Sequence, residues 1–291
     1  MRRWNWKWLN SRRGRRVYTA PIGPEVRIGL ALGGGFARGI AHVGVLEVIE
    51  REKIPLHCIT GVSAGAIVAA AFASGATAAE IGAVGSKMRF GDVARWGLSK
   101  LGLVGSERMT TFLRRLLKYM TFDEMHIPLG VVATDIRAGK PVVFRDKGDV
   151  ADAIRASCSY PGLFRPFDIN GRTYVDGAIS VEVPSVLARV MGATHVISVC
   201  IPNQDETFEP HNMFEVVNRC FQIMMAHNEE GWRRHSDIVL MPDVGAIPWD
   251  GFCNAQRMIE AGRQAAEQAL PQIVSWTGKA GPRLFEFPKS A

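Results

Sequence analysis

From about residue 26 onward, apolar residues in this chain follow two alternating patterns. The first is the short continuous run. Val26-Arg27-Ile28-Gly29-Leu30-Ala31-Leu32 is such a run, and it stops at Gly33-Gly34-Gly35. The second is the helical period. Between residues 38 and 50, Ile40, Val43, Leu46 and Ile49 recur every third position, which predicts a helix with one buried face. The glycines therefore lie between a strand and a helix N-terminus. Next, Cys58-Ile59-Thr60 predicts a strand, Gly61-Val62-Ser63-Ala64-Gly65 a turn, and residues 66–74 an Ala-rich helix. Thr77-Ala78-Ala79-Glu80 has the spacing of a capping box and opens a further helix. Residues 91–105 are Gly-rich around Trp96 and read as a loop or lid-like connection, after which Ser106 is the expected cap of a helix to residue 117.

Strands are expected at residues 129–134 and 142–144. A helix at 150–157 ends before the turn signal Tyr160-Pro161-Gly162. A short strand at 172–175 runs into Asp176-Gly177. Helices at 183–191, 214–232 and 253–270, with strands at 194–200 and 238–241, complete the chain. Strands alternating with helices predict an α/β fold, a three-layer α/β/α arrangement with a mostly parallel central sheet.

Charge changes the picture at one end. The net charge is +7, and Arg2, Arg3, Lys7, Arg12, Arg13, Arg15 and Arg16 account for all of it. The remaining 28 cations match 28 acids, so the body is neutral and the tail basic. Residues 1–25 are accordingly read as a basic, Trp-containing N-terminal tail, and 26–291 as one folded domain. Trp4, Trp6 and Trp8 interleave with the cations. Indoles favour the headgroup layer and cations favour an anionic leaflet, so residues 1–16 are a candidate peripheral membrane contact. A solvated basic tail with no such role is the rival reading. No apolar segment of a secretory leader follows the basic start. The five cysteines are odd in number and scattered, which points to free thiols in a reducing compartment. The expected location is cytoplasmic, with possible contact at the inner membrane face. The uncharged stretch 58–79 is rich in Ala, Gly, Ser and Thr and reads as a buried strand and helix, not a membrane span.

Two local patterns carry chemistry. Gly61-Val62-Ser63-Ala64-Gly65 fits a nucleophile elbow, in which small residues allow a strained strand-to-helix turn that exposes the serine oxygen. Gly33-Gly34-Gly35-Phe36-Ala37-Arg38-Gly39 allows backbone N–H groups to converge on an oxyanion. Its rival meaning, a dinucleotide phosphate loop, fails because Phe36 and Arg38 break the required glycine spacing. Asp176-Gly177 on its own reads as a turn former. His195, His211, His227 and His235 follow Asp176 in triad order, yet nothing local marks any of them, and His42 reads as structural. Met88 and Trp96 fit either an acyl channel or ordinary core. Glu229, Glu230 and Asp237 lack partners at metal-ligand spacing, so no metal is expected. The neutral body gives nucleic acid no support.

The run from Gly29 to Leu46, the elbow at Gly61–Gly65 and Tyr174-Val175-Asp176-Gly177-Ala178 together resemble the patatin-like phospholipases, in both order and spacing. Ile154 to Phe164 resembles the segment that precedes the Asp-Gly of that family. Within it, the chain looks most like the small bacterial branch similar to the catalytic domain of neuropathy target esterase. The resemblance implies a patatin-like hydrolase domain over residues 26–291 and a serine esterase acting on lipid acyl esters, of phospholipase or lysophospholipase type. It implies a Ser63–Asp176 dyad, without histidine and without a cofactor, working through an acyl-enzyme. It also implies an oxyanion hole of the Gly34, Gly35 and Phe36 N–H groups supported by Arg38. Gly61, Gly65 and Gly177 would support the elbow and the turn. Two departures stand out: Phe36 where the family has Gly or Ala, and Val181-Glu182 where it has Asn-Pro. They keep open a general carboxylesterase, an acyltransferase with the same dyad, and a catalytically silent membrane-associated scaffold.

Overall fold

The computed structural model of the chain describes residues 26–97, 101–202, 209–227 and 229–277. The basic tail, and with it the expected membrane contact at residues 1–16, lies outside the described residues. In chain order the elements are β1 (Ile28–Leu32), α1 (Ala41–Arg51), β2 (Cys58–Val62), α2 (Ala64–Ala73), α3 (Ala78–Gly85), α4 (Phe90–Val93), β3 (Arg95–Trp96), β4 (Val104–Gly105) and α5 (Glu107–Leu116). There follow β5 (Leu129–Asp135), β6 (Lys140–Arg145), α6 (Val150–Ser157), β7 (Phe167–Ile169), β8 (Arg172–Asp176) and α7 (Ser185–Val190). The last are β9 (His195–Val199), α8 (Met213–His227), α9 (Glu229–Arg233), β10 (Ile238–Leu240) and α10 (Ala255–Trp276).

The main sheet runs β10-β9-β1-β2-β5-β8-β7, with β6 also paired to β5. Its first five strands are parallel, and β6, β7 and β8 join antiparallel. The expected three-layer α/β/α fold with a mostly parallel sheet is therefore the observed one. Alternation along β1 builds the layers. Ile28, Leu30 and Leu32 enter the core shared with α1, α2 and α10, while Ala31 joins Cys58, Ala188 and Val196 beneath α7 on the opposite face. No helix among the described residues is long and apolar enough to cross a membrane.

Several elements differ from expectation for identifiable reasons. Residues 91–105 are not a plain loop, because they hold α4 and the antiparallel β3–β4 pair. Ser106 does precede α5, but its side chain does not cap it; its Oγ instead accepts a hydrogen bond from Arg155 Nε at 3.2 Å. The expected capping box at Thr77 and Glu80 forms in both directions. α10 continues past Pro271 to Trp276. The proline removes one helical hydrogen bond, and burial of Ile273 and Val274 holds the final turn.

α10 packs across α1 at very close range. A Cβ built on Gly44 lies 1.8 Å from the Ile259 carbonyl oxygen, and one on Gly262 lies 1.9 Å from that of Ala41. Backbone on both sides leaves no flexible group to yield. Gly44→Ala is expected to separate the two helices and destabilise the fold by about 1–3 kcal/mol. A lowered urea midpoint with an unchanged slope is the readout, and a midpoint equal to that of the wild type would refute the packing argument.

Candidate active site

The site forms where two strands share one edge of a third. β6 occupies one edge of β5 along its length. On the other edge β2 pairs up to Val62↔Val132, and β8 begins at Ala133↔Asp176. β2 runs parallel to β5 and β8 antiparallel, so their carboxyl ends meet nose to nose. Ser63 follows the last residue of β2, and Asp176 is the last residue of β8. This geometry joins residues 113 positions apart: Ser63 Oγ donates to Asp176 Oδ2 at 2.7 Å.

Ser63 has φ 53° and ψ −127°, a left-handed conformation that costs a non-glycine residue about 1–3 kcal/mol. The surroundings hold it there. The Ser63 N–H donates to Ser157 Oγ at 2.8 Å, and the Ser157 hydroxyl donates to the Val132 carbonyl at 2.6 Å. The turn also needs its small neighbours. A Cβ on Gly65 would meet the Gly33 and Leu32 carbonyl oxygens at 2.4 Å, and one on Gly177 the Val132 oxygen at 2.2 Å. Gly61 is similarly closed off by Ala66 at 2.6 Å.

Asp176 is 1% exposed. Its Oδ1 accepts from the Ala178 N–H at 2.9 Å. Burial pushes its carboxyl up to about 7, against the opposing pull of the Ala178 and Ser63 hydrogen bonds. A carboxylate in that range is poised to take a proton near neutral pH.

The glycine loop follows β1, next to the elbow on the carboxyl side of the sheet, where open α/β folds place ligands. Gly34 lies against Ser63, with its Cβ position 3.5 Å from Ser63 Cβ. The N–H groups of Gly34, Gly35 and Phe36 make no hydrogen bond to the described residues. Three side contacts fix the loop. Gly33 N–H donates to the Val199 carbonyl at 2.9 Å. Arg38, 4% exposed, donates from Nη1 to the Pro202 carbonyl at 2.9 Å, and burial pulls its guanidinium below the ordinary value. His42 Nε2 lies 2.9 Å from the Gly33 oxygen. Burial holds this imidazole down to about 4, so it is neutral and donates from Nε2. His42 thus anchors the loop, a part that helical spacing alone did not reveal.

Phe36 packs against other aromatic rings. With φ 50°, it places its ring edge-on to Tyr160 at 4.8 Å and to Trp249 at 5.1 Å. Phe36 borders two spaces that both reach Ser63. On one side is an apolar cavity of about 890 Å³ out to its mouth, lined by residues such as Ile40, Ile67, Met88, Phe112, Leu116 and Met258. On the other is a more polar cleft of about 600 Å³, which includes Asp176, Tyr160, Glu182, Asn218 and Gln222. Met88 therefore lines a channel, whereas Trp96 is 69% exposed. Tyr160 donates to Asn218 Oδ1 at 2.6 Å. Glu182, the other departure, accepts from Trp232 Nε1 at 2.9 Å, and burial raises its carboxyl.

Of the histidines in triad order, none lines the cleft that holds Asp176, and His195 lies 4.7 Å from the Trp276 ring. Among the described residues, no three His, Cys, Asp or Glu side chains gather closely enough to hold a metal ion.

The family model for patatin-like phospholipases matches residues 30–188. The chain belongs to the patatin-like phospholipase family. Among curated relatives of this patatin-like chain is an uncharacterised NTE family protein of Mycobacterium tuberculosis. It is 31% identical over 212 residues, covering 66% of this chain and 55% of the relative. The human patatin-like phospholipase domain-containing protein 6 is 29% identical over 193 residues, covering 62% of this chain and 14% of that protein. The chain thus spans about half or less of the length of these relatives. Solved structures similar to this patatin-like chain include VipD from Legionella pneumophila, with a TM-score of 0.47 at 16% identity, covering 84% of this chain and 67% of VipD.

Proposed function

We propose that this patatin-like protein hydrolyses lipid acyl esters through an acyl-enzyme on Ser63, with Asp176 as the base. One observation carries the reading. The 2.7 Å Ser63–Asp176 hydrogen bond lies at the junction of an apolar cavity and a polar cleft. The cavity suits an acyl chain and the cleft suits the alcohol or headgroup side of the ester. Membership of a phospholipase family agrees with it.

In the first half-reaction, Asp176 takes the Ser63 proton as Oγ attacks the ester carbonyl carbon. The carbonyl oxygen becomes an oxyanion facing the N–H groups of Gly34, Gly35 and Phe36, at the N-terminal end of α2. Collapse breaks the carbon–oxygen bond, and the alkoxide leaves with the proton from Asp176. In the second half, Asp176 takes a proton from water as the water oxygen attacks the acyl carbon. Release of the fatty acid returns that proton to Ser63. Arg38 and His42 hold the oxyanion loop, Ser157 holds the strained nucleophile, and Phe36 separates the two arms of the substrate. An acyltransferase would share the first half and differ only in the acceptor.

A fluorophosphonate probe tests this reading, because it phosphonylates only an activated serine. The expected result is one adduct per chain on Ser63, found by peptide mass spectrometry, together with loss of p-nitrophenyl butyrate turnover. Turnover that survives stoichiometric labelling of Ser63 would overturn it.

A further inference from the structure

The tail is not the sole concentration of positive charge. Between residues 87 and 118 the sequence carries eight Lys or Arg against two acids, Asp92 and Glu107, in a body whose total charge beyond the tail is balanced. The described part of this stretch holds α4, the β3–β4 pair and α5, and Lys100 lies outside the described residues. Lys87, Arg89 and Arg95 are exposed and form no ion pair among the described residues. Arg108 reaches across to the Gly91 carbonyl at 2.8 Å, which brings the start of α5 against α4. Among these cations Trp96 is 69% and Leu103 51% exposed.

The inward side of the same elements lines the apolar cavity, through Met88, Phe90, Val93, Met109, Phe112 and Leu116. The two sides connect through aromatic rings. Trp96 lies 6.2 Å from Phe90, and Phe90 lies 6.0 Å from Phe164, which also lines the cavity. We propose that the face formed by α4, β3, β4 and α5 docks the protein on an anionic lipid surface, with its apolar cavity opening toward the leaflet. Charge complementarity selects the occupant: exposed indole and leucine enter the headgroup layer while cations around them meet lipid phosphates. A purely basic face would suit any polyanion. One continuous with a cavity for an acyl chain suits lipid. The proposal rests on the lipid-hydrolase reading for its purpose, although not for its measurement.

The experiment is flotation of the full chain with vesicles of phosphatidylcholine alone or with about one-third phosphatidylglycerol. The wild type is expected to float with the anionic vesicles only, and to be released by about 0.5 M salt. Arg89→Gln/Arg95→Gln is expected to weaken partitioning by about 25-fold, at about fivefold per cation. Trp96→Ser/Leu103→Ser is expected to weaken it by about tenfold, from the apolar area withdrawn. Turnover of soluble p-nitrophenyl butyrate should be unchanged in both, which shows an intact fold. In a chain with Arg2, Arg3, Arg12, Arg13, Arg15 and Arg16 all changed to Gln, the two double variants should weaken binding by the same factors. If both double variants float like the wild type, or if only the tail variant loses binding, the proposed face is wrong. Loss of the hydrolase reading would appear separately, as absent ester turnover with flotation intact.

Discussion

Replacing Asp176 with Asn is expected to lower kcat for an acyl ester by about 10³–10⁴-fold with the fold intact. The amide can keep both hydrogen bonds: its oxygen accepts from Ala178 N–H, and its NH₂ donates to Ser63 Oγ in place of the present 2.7 Å bond. It cannot accept the serine proton, so the attacking group stays a neutral hydroxyl. Ser63→Ala should cost at least as much, and the double variant little more, because nucleophile and base act as a unit. The pH profile supplies the second readout. With the Asp176 carboxyl pushed up to about 7 by burial, the competent carboxylate predominates only above that pH. Wild-type kcat/KM should rise about tenfold per pH unit up to about pH 7 and then level. The residual rate of Asp176→Asn should lack that rise. An Asn variant within tenfold of the wild type, still rising through pH 7, would remove Asp176 from the reaction.

How much of this was legible in the sequence depends on how local each requirement is. The elbow at Gly61–Gly65 is written locally, because small residues on both sides of Ser63 are what a strained turn at φ 53° needs. The glycine loop is local in the same way. Asp176 is different. Its partner lies 113 positions away, and their meeting depends on β2 and β8 dividing one edge of β5, which no window of residues encodes. Only likeness to a family pointed to it. Ser157 and His42 gain their roles from tertiary contacts to Ser63 and Gly33, so a serine ending a helix and a histidine inside one gave no signal. Asn218 and Gln222 reach the cleft from α8, far along the chain. The strand β7 was missed because three residues after Pro166 are too few for a pattern. The expected helix at 214–232 is covered by α8 and α9, with residue 228 between them outside the described residues.

Asp176→Asn should also make the protein more stable as it becomes inactive, and increasingly so as pH rises. A carboxyl near 3.8 in the unfolded chain and about 7 in the folded one binds its proton more tightly when folded. Its favourable contribution is therefore complete below about pH 3.8 and is lost as pH rises through 7. At about 1.4 kcal/mol per pH unit, that loss reaches on the order of 4 kcal/mol above pH 7. The neutral amide escapes it, since it keeps a hydrogen bond to each of the two partners without a buried charge. Urea denaturation between pH 5 and 8.5 checks this. The stability difference in favour of Asn should grow with pH up to about 7 and then level, tracking the rise in wild-type activity. The two curves would share one cause, which is burial of a carboxylate that the proposed mechanism needs ionised. A difference that is flat or reversed across that range would mean that Asp176 is not held near neutrality, and the proton transfer from Ser63 would then need another acceptor.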